Sequence, residues 1–514
     1  MGAGKKPQSS SDGYMNVAHL HQALEKRAIK GAGFSISSQV INYGIQTVGT
    51  IILARLLSPD LFGLVAMVET VSLLLQNFGF NGITEAVVQR EDLTHVQLSK
   101  LFWIYMAMIL ALTVGFILSA PLLVWFFHEP QLSRITIAMA LIIPLSGLAT
   151  CHIALLTRNM EFQRIALIQV ISVLLSTAAA IIMAFQGMGY WALVLRRIAM
   201  QFLIAALAWI LCRWRPSGLA RGVRVAPILR FALRTYMTFL VDYARKSVDK
   251  ILIGKILGKT SLGHYDRAYQ LAGVLPNQLS ASLSGVSLAA MSRLKDSREK
   301  YIDLFAKNLS VIAFVAFPAS VLLTLVGKNL IVLLIGGKWI EAGKIFSALG
   351  PSIGVVVVYY AIYWLHFSLG RADRLLKWST FTLAVSLVAY TLGIQFGSIG
   401  VAVAYSFLFY ALLIPALCYA GKPMDIKAAF FLSILWKYWF SAFLAAGIWM
   451  AVLHLLGPIT LAYDHLGLLG KITATALAYG ASYMSLILAL FKGPGPLISL
   501  ASVVRRFFTR GPMP

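Results

Sequence analysis

Apolar runs of about twenty residues follow one another along the whole chain, which is the length a helix needs to cross a hydrocarbon core roughly 30 Å thick. Each run closes on a short cluster that holds Gly, Pro or charge. A membrane barrel would show shorter, alternating segments instead. The pattern predicts an all-α polytopic membrane protein with fourteen transmembrane helices, at about residues 34–57, 61–83, 101–127, 135–157, 166–186, 190–212, 229–254, 263–290, 305–326, 346–369, 375–395, 398–420, 432–455 and 469–491. Composition agrees with the pattern. Of 514 residues, 59% are hydrophobic and 12% charged, and the mean hydropathy of +0.79 lies outside the range of soluble domains. The opening 33 residues are polar and basic and lack an apolar core with a small-residue cleavage site. No cleaved signal peptide is expected.

The net charge of +25 would point to nucleic acid in a soluble domain. Here its placement changes that reading. Lys and Arg concentrate on alternate segments between the spans, starting with the N-terminal one, which predicts both termini in the cytoplasm and assigns much of the charge to topology and to anionic lipid. No nucleic-acid partner is expected. Cys151, Cys212 and Cys418 lie far apart and match neither a disulfide framework nor a metal spacing. The longest stretch between spans, residues 213–228, is too short to fold as a domain. With no His, Ser or carboxylate constellation in view, the chain is expected not to be an enzyme, and no cofactor or metal is expected.

The chain also repeats itself. ILARLLSPDLFGL, residues 52–64, aligns without gaps to LIGKILGKTSLGH, residues 252–264, an offset of 200 that pairs Arg55 with Lys255 and Gly63 with Gly263. Carried back along the preceding helices, the offset pairs Ser38 with Thr238, Asn42 with Asp242, Gln46 with Lys246 and Thr50 with Lys250. FQGMGYWALV (185–194) likewise resembles QFGSIGVAVA (395–404). Six spans separate equivalent helices, so the halves share one orientation and are parallel repeats of a transporter type. The expected organisation is a cytoplasmic segment 1–33, a six-helix lobe 34–212, a cytoplasmic loop 213–228, a second six-helix lobe 229–420, two additional helices within 421–491, and a cytoplasmic tail 492–514.

One span is charged. RTYMTFLVDYARKSVDKILIG, residues 234–254, carries Arg234, Asp242, Arg245, Lys246, Asp249 and Lys250. At 100° per residue these, with Thr235 and Thr238, fall within an arc of about 160°, opposite Met237, Leu240, Val241, Ala244 and Val248. A charge at the bilayer centre costs at least about 2.5–3.5 kcal/mol, so the charged arc cannot face lipid. Pairing of the two acids with Arg245 and Lys246 at helical spacing accounts for part of the charge and leaves cations over. A surface helix is a second account. A water-filled cavity between the halves fits best, because the matching first-half helix is apolar enough to span yet polar at the same positions, with Gln39, Asn42 and Gln46 on one face. Such a cavity attracts an anion, and an Arg fork beside Lys suits phosphate oxygens.

Other polar residues in spans add to this. Arg196 and Arg197, with Gln201 one turn on from Arg197, are further candidates for the cationic cavity, and Glu69 is a candidate for proton or cation coupling. Asp266 and Arg267, beside Tyr265 and Tyr269, are expected to form a local ion pair with aromatic anchors. His152, His264, His366 and His454 stand singly and are expected to be structural.

The runs ILARLLSPDLFGLVAM, NFGFNGITEAVVQRED, ALLTRNMEFQRIA and, above all, SVDKILIGKILGKTSLGHYDRAYQL resemble the Wzx-type bacterial polysaccharide flippases of the multidrug/oligosaccharidyl-lipid/polysaccharide (MOP) superfamily. The nearest branch is that of the colanic-acid and teichuronic-acid exporters, over roughly residues 30–420. The resemblance implies two lobes that alternate between inward and outward openings, and transport of undecaprenyl-diphosphate-linked oligosaccharide across the bacterial inner membrane for surface polysaccharide synthesis. It also implies that the seventh span lines the cavity with cations, which assigns Arg234, Arg245, Lys246 and Lys250 to the diphosphate. Arg196 and Arg197 are placed with them, although a double Arg there departs from the family pattern. Gln39, Asn42, Gln46, Thr238, Asp242 and Asp249 are the expected polar lining. Coupling to H+ or Na+, through Glu69 or one of the aspartates, is left open. Lipids, a polysaccharide polymerase and chain-length proteins are the expected neighbours of a protein that works as a monomer. A lipid II flippase, a drug or cation antiporter of the same superfamily, and a membrane glycosyltransferase or ligase are the alternatives; the net positive face counts against the antiporter and the missing catalytic acids against the enzyme.

Overall fold

The structure, a computed structural model, describes residues 24–77, 80–89, 93–218, 226–493 and 495. The described residues are helical throughout and form two compact units, residues 1–243 and 244–514. The division falls inside one long helix. In the first unit run α1 (Leu24–Leu56), α2 (Pro59–Gln76), α3 (Phe80–Gln89), α4 (His95–Leu118), α5 (Ala120–Phe127), α6 (Leu132–Met139), α7 (Ile142–Arg158), α8 (Phe162–Phe185) and α9 (Tyr190–Leu211). The shared helix is α10 (Ala226–Ile256). The second unit continues with α11 (Gly258–Ala272), α12 (Val274–Arg293), α13 (Arg298–Ile335), α14 (Ile340–Tyr359), α15 (Ala361–Ser368), α16 (Ala372–Gly393), α17 (Gly397–Gly421), α18 (Ala428–Leu455), α19 (Gly457–His465) and α20 (Leu468–Leu490).

Ten helical stretches among the described residues are long and apolar enough to cross a membrane, and one of them, residues 372–424, holds two of the spans expected from the sequence. The expected spans absent from those ten lie in α1, α10 and α11–α12. They are the polar ones, whose Ser, Asn, Gln and charged faces lower their mean hydropathy. Several spans are also broken where the sequence suggested single helices. Proline explains three of the breaks: Pro121, Pro144 and Pro276 each stand two or three residues into α5, α7 and α12 and lack the N–H that would continue the preceding helix.

The internal repeat is visible in where helices end. α1 stops at Leu56 and α10 at Ile256, and each end is closed by the same bond, Leu57 N to the Leu53 carbonyl and Leu257 N to the Ile253 carbonyl, both 2.8 Å. The next residue differs: Ser58 is extended before a Pro at the start of α2, whereas Gly258 turns at φ +78°. Between α8 and α9, Gly187 has φ +76°, and at the start of α17, Gly397 has φ +72°. Both turns place glycine where a Cβ would be strained.

In the first unit, α1 packs on α8 and α9 on α7 and α8. Residues leaving α9 are pinned to it: Trp214 is fully buried beside the His152 ring, 5.2 Å between centroids. Trp103 Nε1 donates to the Ser217 carbonyl at 2.8 Å, and Ser217 N donates to Ser99 Oγ at 3.0 Å. In the second unit, α13 and α14 form the central contact. Ser320 Oγ on α13 donates to the Gly350 and Pro351 carbonyls of α14 at 2.7 and 2.9 Å, satisfying backbone near the proline inside that helix. Gly354 lets the two approach, since a methyl group there would fall on the Ala316 carbonyl oxygen of α13. Gly354→Val is therefore expected to cost about 1–3 kcal/mol by overpacking, read as a lower melting temperature of the purified protein. An unchanged melting temperature would show that the contact yields without cost.

The additional helices α18 and α20 dock on α13. Tyr438 OH meets Ser310 Oγ at 2.6 Å, and Tyr483 OH donates to the Phe314 carbonyl at 3.1 Å, with the Phe314 ring 6.1 Å from both tyrosine rings. Polar groups satisfied between apolar helices are how such bundles hold together without a hydrophobic driving force.

Candidate functional site: a charged helix end and a tyrosine-walled pocket

The C-terminal half of α10 carries its charges at helical spacing, and the second unit meets them with α11. Asp249 is buried at 2% exposure; Tyr265 OH donates to its Oδ2 at 2.7 Å and the Lys250 backbone N to its Oδ1 at 2.8 Å. Lys250 Nζ reaches Asp266 Oδ1 at 2.7 Å and sits 5.1 Å from the centre of the Tyr269 ring. Asp266, also 2% exposed, takes Arg267 NH2 at 2.5 Å and Gln270 Nε2 at 2.8 Å on its other oxygen. A carboxylate in such a dry site is stable because both of its oxygens meet donors and two cations flank it.

Arg245 and Lys246 stand one turn before this cluster, half-buried and exposed respectively. With Asp249 they form one side of a small, partly open cavity. Its remaining wall is mostly tyrosine. Tyr269 comes from α11, Tyr360 and Tyr363 from the α14–α15 junction, Tyr390 from α16, and Tyr405 from α17. The rings interlock: Tyr269 meets Tyr405 edge-on at 5.7 Å, Tyr390 stacks on Tyr405 at 6.4 Å, and Tyr360 lies 5.6 Å from Tyr363. Trp378 Nε1 donates to Tyr359 OH at 2.5 Å and fixes the back of the wall.

The sequence-derived residues separate accordingly. Arg245, Lys246 and Asp249 come together at the pocket. Lys250, placed with the diphosphate cations, is held by Asp266. Asp242 lies half-buried on α10 at the end of the first unit. Arg234 and Thr238 lie on α10, but their side chains are outside the described residues. In the first unit, two residues singled out for different reasons form an ion pair, Arg197 on α9 with Glu69 on α2. Gln76 Nε2 donates to Gln201 Oε1 at 3.0 Å, two turns on from Glu69 on α2 and one turn on from Arg197 on α9. Arg196 is half-buried on α9. On α1, Asn42 is buried against α8, its Nδ2 3.5 Å from Gln169 Oε1, whereas Gln39 and Gln46 are exposed. Asp266 does pair with Arg267 as expected, and it holds Lys250 too.

Sequence reasoning missed the tyrosine wall. Its members sit on five separate helices and carry no mutual spacing; only VYYAIYW, residues 358–364, with Tyr360 and Tyr363 on one face, offered a signal.

Residues 52–344, more than half of the chain, match the family described as polysaccharide biosynthesis protein. The chain belongs to that family. A polysaccharide biosynthesis protein of this kind has relatives with related names: it is 25% identical over 401 residues to the lipopolysaccharide biosynthesis protein WzxC of Escherichia coli K12, covering 74% of this chain and 78% of that one. It is 25% identical over 377 residues to the succinoglycan biosynthesis transport protein ExoT of Rhizobium meliloti, covering 73% and 75%. Its fold is that of the lipid II flippase MurJ in an inward closed conformation, with a TM-score of 0.70 at 15% identity over 89% of this chain and 99% of that one. The Wzx-type flippase resemblance within the MOP superfamily is thus borne out, and this polysaccharide biosynthesis protein is a multi-pass membrane protein, with a transport protein among its relatives.

Proposed function

We propose that the protein moves undecaprenyl-diphosphate-linked oligosaccharide repeat units from the cytoplasmic to the periplasmic leaflet of the bacterial inner membrane, by alternating access of two six-helix lobes within a fourteen-span chain whose termini are both cytoplasmic. The observation that carries this reading is the charged stretch of α10, which places Arg245 and Lys246 beside an open cavity in an otherwise apolar helix bundle. The lipid tail can remain in the bilayer while the head group crosses; only the anion and the sugars need a polar route. Arg245 and Lys246 supply counter-charge for the diphosphate, with Arg234 further along the helix, while Lys250 supports the site through Asp266. Asn42, Gln39 and Gln46 belong to the polar lining, with Thr238, Asp242 and Asp249. Glu69, paired with Arg197, is the group through which ion coupling would act, and Arg196 is its neighbour in sequence on the α9 face. A drug or cation antiporter would set acids, not cations, toward its cargo.

The experiment is removal of the gene from its native host. Lipid-linked repeat units are expected to accumulate, reachable only from the cytoplasmic side, and surface polysaccharide to disappear; normal surface polysaccharide without the protein would sink the proposal. For the topology, Gly218→Cys, in the loop after α9, is expected to stay unlabelled by an impermeant thiol reagent added to intact cells. Labelling from outside would reverse the orientation.

A further inference from the structure

The pocket of the second unit is over-equipped for phosphate alone. A diphosphate needs cations and N–H donors, yet beyond α10 this wall presents phenol rings. A lipid tail or an apolar drug would call for Leu, Ile and Phe, and among the described residues such side chains on the wall are Val356 and Phe409. An aromatic box can also hold a cation over its rings, but the cation over Tyr269 is the protein's own Lys250 at 5.1 Å, and Arg245 and Lys246 on the same wall repel a second one.

Phenol rings in quantity suit a ligand that is apolar on one face and hydroxylated at its edge. A tyrosine offers both, a flat apolar body and a hydrogen-bonding tip. A pyranose ring has that character, its axial C–H bonds on one face and its hydroxyls around the rim. Asp249, fixed by Tyr265 OH and the Lys250 N–H, also lines the pocket, and Arg245 and Lys246 bring cationic charge from the α10 side.

We propose that this pocket is a sugar-ring subsite that takes a pyranose bearing an anionic substituent, its ring against Tyr360 and Tyr363 and its anion toward Arg245 and Lys246. The inference rests on the flippase reading and deepens it by naming what part of the head group the second unit recognises. The anion has two sources, the phosphate joined to the sugar or a carboxylate on the sugar itself. Tyr390, 2% exposed, braces the wall, whereas Tyr360 and Tyr363 are half-buried and line the cavity.

The test uses the full-length chain purified in detergent, titrated by calorimetry and followed by saturation-transfer NMR. Probes are the 1-phosphates of glucose, galactose and N-acetylglucosamine, the corresponding uronates, the neutral sugars and inorganic phosphate. At least one anionic sugar is expected to bind about tenfold or more tightly than phosphate or the neutral sugars, and whether a 1-phosphate or a uronate does so identifies the source of the anion. Tyr360→Ala with Tyr363→Ala is expected to remove that preference while leaving phosphate binding in place, and Tyr363→Phe to keep most of it, which separates loss of the ring from misfolding. The inference is overturned if no anionic sugar exceeds phosphate, or if the double alanine variant exports polysaccharide at the wild-type level. Export that persists in the tyrosine variant but stops on loss of Arg245 and Lys246 would remove the sugar subsite and leave the flippase reading intact. Anionic-sugar binding in a chain that moves no lipid-linked substrate would do the reverse.

Discussion

Cells that carry Arg245→Ala together with Lys246→Ala are expected to lose surface polysaccharide export while the protein is still made and inserted. Both side chains bound the cavity of the second unit. Charge-assisted bonds to phosphate contribute about 1.5–3 kcal/mol each, so removal of both would weaken head-group binding by two or more orders of magnitude. Single substitutions are expected to give intermediate export, with Arg245→Lys milder than Arg245→Ala because charge survives and only the planar fork is lost. The measurement is surface polysaccharide per cell, normalised to protein in the membrane fraction. Wild-type export from the double variant would remove α10 from the transport route.

Asp266→Ala is expected to have the largest effect on stability. Lys250 Nζ at 2.7 Å and Arg267 NH2 at 2.5 Å both rest on this carboxylate, which is 2% exposed. Removing it leaves two cations facing each other in a dry setting, and breaking a buried pair in this way costs about 3–5 kcal/mol. Asp266→Asn retains hydrogen bonding but not charge and should lie between the two. The melting temperature of the purified protein reads the difference. Equal melting temperatures for all three forms would mean that the cluster is solvated and contributes nothing to holding α10 on α11.

The spans were legible because a membrane imposes one length and one polarity on nearly every helix, so α8, expected at 166–186 and found at Phe162–Phe185, needed nothing but hydropathy. The repeat was legible for a related reason. An offset of 200 residues in a gapless match fixed the ends of α1 and α10 to the same register. Breaks inside spans were not read, since Pro121, Pro144 and Pro276 are tolerated within membrane helices as often as they divide them, and neighbouring helices decide which. Within the candidate site, the cations of α10 stood out because charge in hydrocarbon has to be explained. Their partners did not. Asp266 looked complete with Arg267 next to it, and nothing in sequence shows that Lys250, sixteen residues earlier, completes it from the adjoining helix. The tyrosines were invisible for a plainer reason: a tyrosine in a span is ordinary, and only packing brings Tyr269, Tyr390 and Tyr405 to one wall.

Movement of the proposed cargo by the protein itself is the central claim, and reconstitution tests it most directly. Proteoliposomes holding the purified chain and a fluorescent undecaprenyl-diphosphate-linked oligosaccharide in both leaflets are exposed to an impermeant quencher. The account predicts that the protected inner-leaflet fraction becomes accessible in the presence of the protein, and that the Arg245→Ala, Lys246→Ala variant leaves it protected. Protection that is the same with and without the wild-type protein, under either a proton or a sodium gradient, would contradict it.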